Sequence, residues 1–258
     1  MIPVATVLNS FRLDGKVALV TGASRGLGAG MAEALAQAGA DVILVARGDT
    51  SATAKLVETA GRKAWSFSAD QASRAAMDKL AAALGAELPV PDILVNNGGT
   101  IRRGAFADFT DADWDEVMEV NLNSIFRLSQ AVVRLWLAQK RRGKIIHIAS
   151  MMSFQGGIRI GSYPAAKSGL AGLTRMMANE LAASGINVNA IAPGYMATDN
   201  TAALQADVER NKAILARIPA AEWGTPADLG GAVVYLASSA SNYVHGHIMA
   251  VDGGWLGR

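Results

Sequence analysis

Short, β-rich apolar runs alternate with longer stretches of helical spacing along the whole chain. The runs fall at residues 16–21, 41–46, 64–69, 92–96, 144–150, 186–191 and 247–251. Between them, helical patterning covers 31–38, 73–84, 111–139, 165–183 and 226–238. Strands alternating with helices predict parallel pairing through right-handed crossovers, with helices on both faces of the sheet. The expected class is α/β, a doubly wound parallel sheet of about seven strands. No repeat, low-complexity tract or linker interrupts it, so residues 1–258 are expected to form one domain. In such sheets ligands bind outside the carboxyl ends of the strands. Interest therefore centres on the residues at the end of each run: the glycines of 22–28, Asp70, Asn96, Ser150 and Pro193.

Composition supports a buried core and removes several function classes. Apolar residues make up 51% and charged residues 18% of the 258, enough to fill one large core. Lysine plus arginine exceed the acids by only 2, too weak a balance to imply a nucleic-acid partner. The densest basic run, 140–144, lies where a helix gives way to a strand and suits a solvated helix C-terminus. There is no cysteine, which excludes disulfides and thiolate metal sites and fits a reducing cytoplasm. His147, His245 and His247 lack zinc-motif company, so no metal is expected. The N-terminal residues lack a basic leader, and no apolar run reaches the length of a membrane span. The expectation is a cytoplasmic protein with neither a nucleic-acid nor a membrane partner.

Two stretches carry chemistry. The first is Gly22-Ala-Ser-Arg-Gly-Leu-Gly28, set between the first strand and the first helical pattern. Glycines there permit a tight turn and close backbone approach, and the following helix N-terminus offers unpaired N–H groups to a pyrophosphate. That unit makes the sheet Rossmann-like and Gly22, Ser24, Arg25, Gly26, Leu27 and Gly28 a candidate dinucleotide loop, although the spacing is G-x-x-x-G-x-G. The second stretch runs from Ser150 to Lys167. Tyr163 and Lys167 stand four residues apart, on one face of a helix. A free tyrosine titrates near pH ~10, and a neighbouring cation favours its phenolate, moving it toward acid–base work near neutrality. Ser150 adds a hydroxyl for the reacting oxygen.

Taken together and in order, Thr21-Gly22 to Gly28, Asn96-Asn97-Gly98-Gly99, Ser150, Tyr163-x-x-x-Lys167 and Pro193-Gly194 resemble the short-chain dehydrogenase/reductase family over the whole length. The resemblance implies that Tyr163 is the general acid/base, that Lys167 also holds the nicotinamide ribose, and that Ser150 orients the substrate oxygen. It makes Asn121 the fourth member of a proton-relay set. It extends the cofactor site to Asp70 against the adenine, to Asn97, Gly98, Pro193, Gly194 and Met196, and to Thr198 at the nicotinamide amide. It also implies a homotetramer. Two positions depart from the family. Gly98 stands where alanine is usual, which is expected to loosen the turn without removing chemistry. Pro164 follows the tyrosine, which suits a helix starting at Tyr163. A narrower likeness, to the family's dehydrogenases of deoxy-keto sugar acids in uronate breakdown, rests on residues 101–103, 149–159, 189–198, 236–243 and 251–255.

The expected activity is thus an NAD(P)-dependent interconversion of a secondary alcohol and a ketone on a small sugar acid. Rival readings are a 3-oxoacyl thioester reductase, a gluconate 5-dehydrogenase, and a dinucleotide-binding regulator without turnover; the complete Asn–Ser–Tyr–Lys set argues against the last. A sugar acid needs a cation for its carboxylate, and Arg102, Arg103 and Arg159 all fall beside the expected site. Gln155 and Trp223 are candidates for hydroxyl and ring contacts. The second strand ends at Ala46-Arg47 rather than at an acid. Arg47 and Arg25 therefore predict NADP(H), since arginine there accommodates a 2′-phosphate, whereas the narrower likeness points to NAD.

Overall fold

One sheet of seven strands organises the computed structural model, which describes residues 6–258. The start of the N-terminal stretch, where no leader is expected, lies outside the described residues. The strands are β1 (Val17–Thr21), β2 (Asp41–Ala46), β3 (Ala64–Ser68), β4 (Ile93–Asn96), β5 (Gly143–Ile148), β6 (Ile186–Pro193) and β7 (Ile248–Val251). Their spatial order is β3-β2-β1-β4-β5-β6-β7, with every neighbouring pair parallel. The chain builds outward from β1 to β3, then returns to the other side of β1 as β4. Connections leave β1 and β4 in opposite directions, and that reversal opens a crevice at their carboxyl ends.

The helices are α1 (Gly26–Gln37), α2 (Ser51–Thr59), α3 (Arg74–Ala83), α4 (Asp111–Met118), α5 (Ser124–Ala138), α6 (Ser162–Leu181), the short α7 (Ala202–Ala206) and α8 (Val208–Leu215), and α9 (Gly230–Ala237). Successive strand residues face opposite ways. Ala18, Val20, Val42 and Leu44 pack with α1 and α9, whereas Leu19, Ile43, Val45 and Leu94 pack with α3, α5 and α6. Local chemistry sets several helix starts. The Ser73 hydroxyl accepts the Ala76 N–H (3.3 Å) ahead of α3, and Thr110 accepts from Asp113 (3.1 Å) ahead of α4.

Sequence and structure part at identifiable places. The first helix begins at Gly26 rather than Met31, because the second half of the glycine loop is already its first turn. The strand expected to reach Ser150 stops at Ile148. The stretch 226–238 opens with a 3₁₀ turn (Pro226–Leu229) before α9. The helix expected over 111–139 is broken by a π turn, Glu119–Asn123, between α4 and α5. Here Asn121 Nδ2 donates to the Val117 carbonyl (2.9 Å) and Ser124 Oγ to that of Val120 (2.9 Å). Side chains thus take carbonyls that an α-helix reserves for backbone N–H groups, and the turn widens. The helices α2, α7 and α8 had no counterpart in the pattern. They bury too little to write one: Thr53 and Val57 in α2, Ile214 in α8.

Candidate active site

At the crevice, the ends of β1 and β4 are tied together. Thr21 Oγ1 accepts the N–H groups of Asn97 (3.1 Å) and Gly98 (3.0 Å), and Asn97 Nδ2 donates to the Thr21 carbonyl (2.9 Å). Gly22 has φ +67°, and a Cβ there would lie 2.7 Å from the Gly98 Cα. A Cβ on Gly28 would overlap the Gly22 carbonyl oxygen. Only glycine lets α1 start this close to the loop. Arg25, at the N-cap of α1, provides no side-chain cap, so the first-turn N–H groups stay open toward the crevice. An uncapped helix N-terminus against a glycine cradle fits a dinucleotide pyrophosphate. Ser24, Leu27 and the Gly26 backbone line the same turn, and the Thr198 methyl approaches Gly26 from across the cleft. Pro193 ends β6, the Gly194 N–H is held by the Val251 carbonyl (2.9 Å), and Met196 is buried beyond it.

Past β5, Ser150 caps a 3₁₀ turn (Met151–Ser153), its Oγ accepting the Met152 N–H at 3.1 Å. Tyr163 lies in the first turn of α6, which starts at Ser162, one residue before the expected start at Tyr163. Lys167 is buried one turn on, its Nζ 5.7 Å from the Tyr163 ring centroid and bonded to the Ile148 carbonyl at 2.6 Å. Burial lowers the Lys167 ammonium to about 8. Burial raises the phenol above its ordinary value, while hydrogen bonding toward Ser150 and the field of Arg103 pull it back. The Lys167 ammonium is bonded to the Ile148 carbonyl and lies over the ring.

Asn121 is fully buried in the π turn. Its Oδ1 accepts the Thr100 N–H (3.2 Å), and its Nδ2 donates to the Thr100 carbonyl (2.8 Å) as well as to Val117. The Asn121 amide thereby ties α4 to the loop leading to Arg103. Asp70 follows β3 and faces Arg47 across 3.8 Å, while Arg25 pairs with Asp199 at 3.3 Å. Both arginines remain largely exposed at the rim of the crevice.

The substrate candidates divide. Arg102 is held by α4, with Glu116 at 2.6 Å and Asp113 at 3.5 Å, and is not free for a carboxylate. Arg103 is exposed and has no carboxylate partner among the described residues. Gly104 bridges to Ile160, its N–H on the Arg159 carbonyl (3.1 Å), so the Arg103 and Arg159 backbones run side by side. Arg159 is exposed and held at φ +59° by that bridge. Gln155 accepts from Arg217 (3.4 Å), and Trp223 Nε1 donates to Asn211 (2.8 Å). Trp223 belongs with Tyr163 to an apolar cluster around Met151, Met152, Ile214, Ile218 and Trp255. Sequence reasoning missed most of this wall. Tyr195 packs edge-on against both Trp223 (5.3 Å) and Trp255 (4.9 Å), and Arg217 stacks on Trp255 (3.9 Å). Its members come from four separate stretches, 151–163, 195, 214–223 and 255, and no local pattern links them.

A dinucleotide cradle and a Ser–Tyr–Lys set at one edge of a doubly wound sheet define a nicotinamide-dependent oxidoreductase, and the chain belongs to the short-chain dehydrogenase/reductase family. The family description Enoyl-(Acyl carrier protein) reductase matches residues 22–256. The chain is 53% identical over 252 residues to 2-dehydro-3-deoxy-D-gluconate 5-dehydrogenase of Escherichia coli, covering 98% of this chain and 100% of that one. A solved structure of a proposed 2-deoxy-D-gluconate 3-dehydrogenase from Agrobacterium tumefaciens, with bound NADP, is 52% identical, with a TM-score of 0.92 over 97% of this chain and 100% of that chain. A gluconate 5-dehydrogenase from Burkholderia cenocepacia, in complex with NADP and tartrate, is 37% identical, with a TM-score of 0.92 over 97% and 99%.

Proposed function

We propose that the protein is an NADP(H)-dependent dehydrogenase of a deoxy-keto sugar acid, of the 2-dehydro-3-deoxy-D-gluconate 5-dehydrogenase kind. Residues 1–258 would act as one such domain. The observation that carries the reading is Arg103: exposed, without a carboxylate partner among the described residues, and next to the Gly104–Ile160 bridge that leads into the Tyr163 helix. A cation beside an acid/base tyrosine suits a substrate with a carboxylate a few bonds from the reacting alcohol. Arg159, on the neighbouring backbone, supplies a second guanidinium at the same rim.

The chain's own residues divide the work. Bound dinucleotide supplies the hydride-accepting and hydride-donating ring. Its pyrophosphate would be held by the N–H groups of the Gly22–Gly28 loop and α1, its adenine side by Asp70, and its 2′-phosphate by Arg47 and Arg25. Tyr163 takes the hydroxyl proton in oxidation and returns it in reduction. Ser150 fixes the same oxygen, and Lys167 donates to the ribose. Asn121 keeps the Thr100–Arg103 loop in place. The wall of Trp223, Tyr195 and Trp255 excludes water behind the tyrosine. The two exposed arginines and the NADP complexes of relatives favour NADP over NAD.

A substrate panel tests this: purified protein, both cofactors, and a deoxy-keto sugar acid against gluconate and a 3-oxoacyl thioester. Turnover on the sugar acid at least about tenfold above the others is expected, and preference for the thioester would overturn the reading. A cytoplasmic homotetramer belongs to the same proposal. Light scattering of the purified protein checks the assembly, and fractionation of the native host checks the compartment.

A further inference from the structure

The departure at Gly98 has an unexpected counterpart. A loosened turn was expected there, but the space is filled: a Cβ on Gly98 would overlap Gln71 Oε1 and lie 2.7 Å from its Cδ. Gln71 follows Asp70 at the end of β3, and its side chain is buried against the Asn96–Gly99 turn. Its Nε2 donates to Ser124 Oγ (3.3 Å), which in turn donates to the Val120 carbonyl (2.9 Å). The Ser124 N–H closes the π turn on Glu119. Within that turn Asn121 grips both the N–H and the carbonyl of Thr100, three residues before Arg103.

We propose that Gln71 is a positioning residue: its amide, seated in the space Gly98 leaves open and tied to Ser124, holds the π turn and so sets Asn121 and the Thr100–Arg103 loop. A buried amide is costly unless it is bonded, and an apolar side chain in that slot would fill it without holding Ser124. The adenine side of the cofactor crevice, at Asp70, is thereby joined through one residue to the rim that carries Arg103. The consequence for turnover rests on the function proposed above; the consequence for structure does not.

Gly98→Ala, Gln71→Ala and the double variant test the proposal through three readouts: hydrogen exchange at the Thr100 amide, NADPH binding by fluorescence, and kcat. The atom in the way of a new methyl is the end of a flexible side chain, so Gly98→Ala should displace the amide and leave the backbone in place. Thr100 exchange is expected to accelerate about tenfold while the Val20 amide of β1 is unchanged, and kcat to fall several-fold. In the Q71A background the same methyl fills a gap without restoring the hold on Ser124, so the double variant should exchange and turn over as Q71A alone does. A substitution that harms in one background and is silent in the other is a signature no independent pair produces. Additive effects of the two changes, or unchanged Thr100 exchange in both single variants, would overturn the assignment. If no sugar acid is turned over but the exchange pattern holds, the positioning role stands and the function reading falls.

Discussion

His147 makes the acid stability of this protein a quantitative matter. It lies in β5 directly beside Asn96 of β4, on the face covered by α5 and α6, and is fully buried. Asn96 Nδ2 bonds Ser129 Oγ (3.0 Å) and approaches His147 Nδ1 (3.1 Å), while His147 Nε2 has no partner among the described residues. Nδ1 facing a donor puts the ring proton on Nε2, in the neutral form. Charging the ring must overcome burial first and repulsion from Lys167 second, and its pKa falls from 6.5 to about 3. Below pH 6.5 the unfolded chain takes up a proton that the native state refuses. Stability is therefore lost as pH falls from 6.5 toward 3, by about 1.4 kcal/mol for each full pH step. The loss is about 2 kcal/mol at pH 5 and about 4 kcal/mol at pH 3. Urea unfolding of wild type and His147→Asn at pH 7.5, 6 and 5, at one protein concentration, measures it. The variant's baseline will shift, so the slope is compared: wild type should lose about 2 kcal/mol more than the variant between pH 7.5 and 5. Parallel slopes would refute the account, because carboxylates common to both proteins cancel.

Three further outcomes are expected. Tyr163→Phe should lower turnover by about 10²–10⁴-fold with NADPH affinity within about twofold, by steady-state kinetics and fluorescence titration; retention of half the wild-type rate would refute the mechanism. Because burial raises the phenol, oxidation by the wild type should quicken from neutral into alkaline pH as more phenolate forms, and the Phe variant should lack that rise. Arg103→Met should raise KM for the acid by about tenfold, a loss of one charge-assisted contact, while Arg102→Met registers only as a stability loss under about 1 kcal/mol, since its ion pairs are part-exposed. Arg47→Asp should reverse the ratio of kcat/KM for NADP over NAD, and an unchanged ratio would show that the exposed Arg47 does not meet the 2′-phosphate.

Much of the fold was written locally. The alternation of apolar runs with helical stretches fixed the sheet class, but β1 and β2 are buried on both faces, so their continuous apolar runs do not display which residue meets which helix layer. The glycine loop and the four-residue interval from Tyr163 to Lys167 are likewise short-range geometry, so the cofactor cradle and the acid/base helix were legible before any contact was known. Whatever depended on distant partners was not. Helix patterning over 111–139 was sound, but the π turn arises from Asn121 and Ser124 bonding carbonyls and from Thr100, which only the folded chain brings beside them. Among three arginines the sequence put Arg103 only slightly ahead. Glu116 and Asp113 of α4 claim Arg102 and leave Arg103 open to the tyrosine. That Lys167 meets the Ile148 carbonyl was likewise invisible in the sequence. Gly98 looked like a lost methyl until Gln71, far away in sequence, proved to occupy the space. Sequence determines backbone preference and periodicity at close range; which polar group meets which, and how dry their meeting place is, is decided only when strands and helices pack.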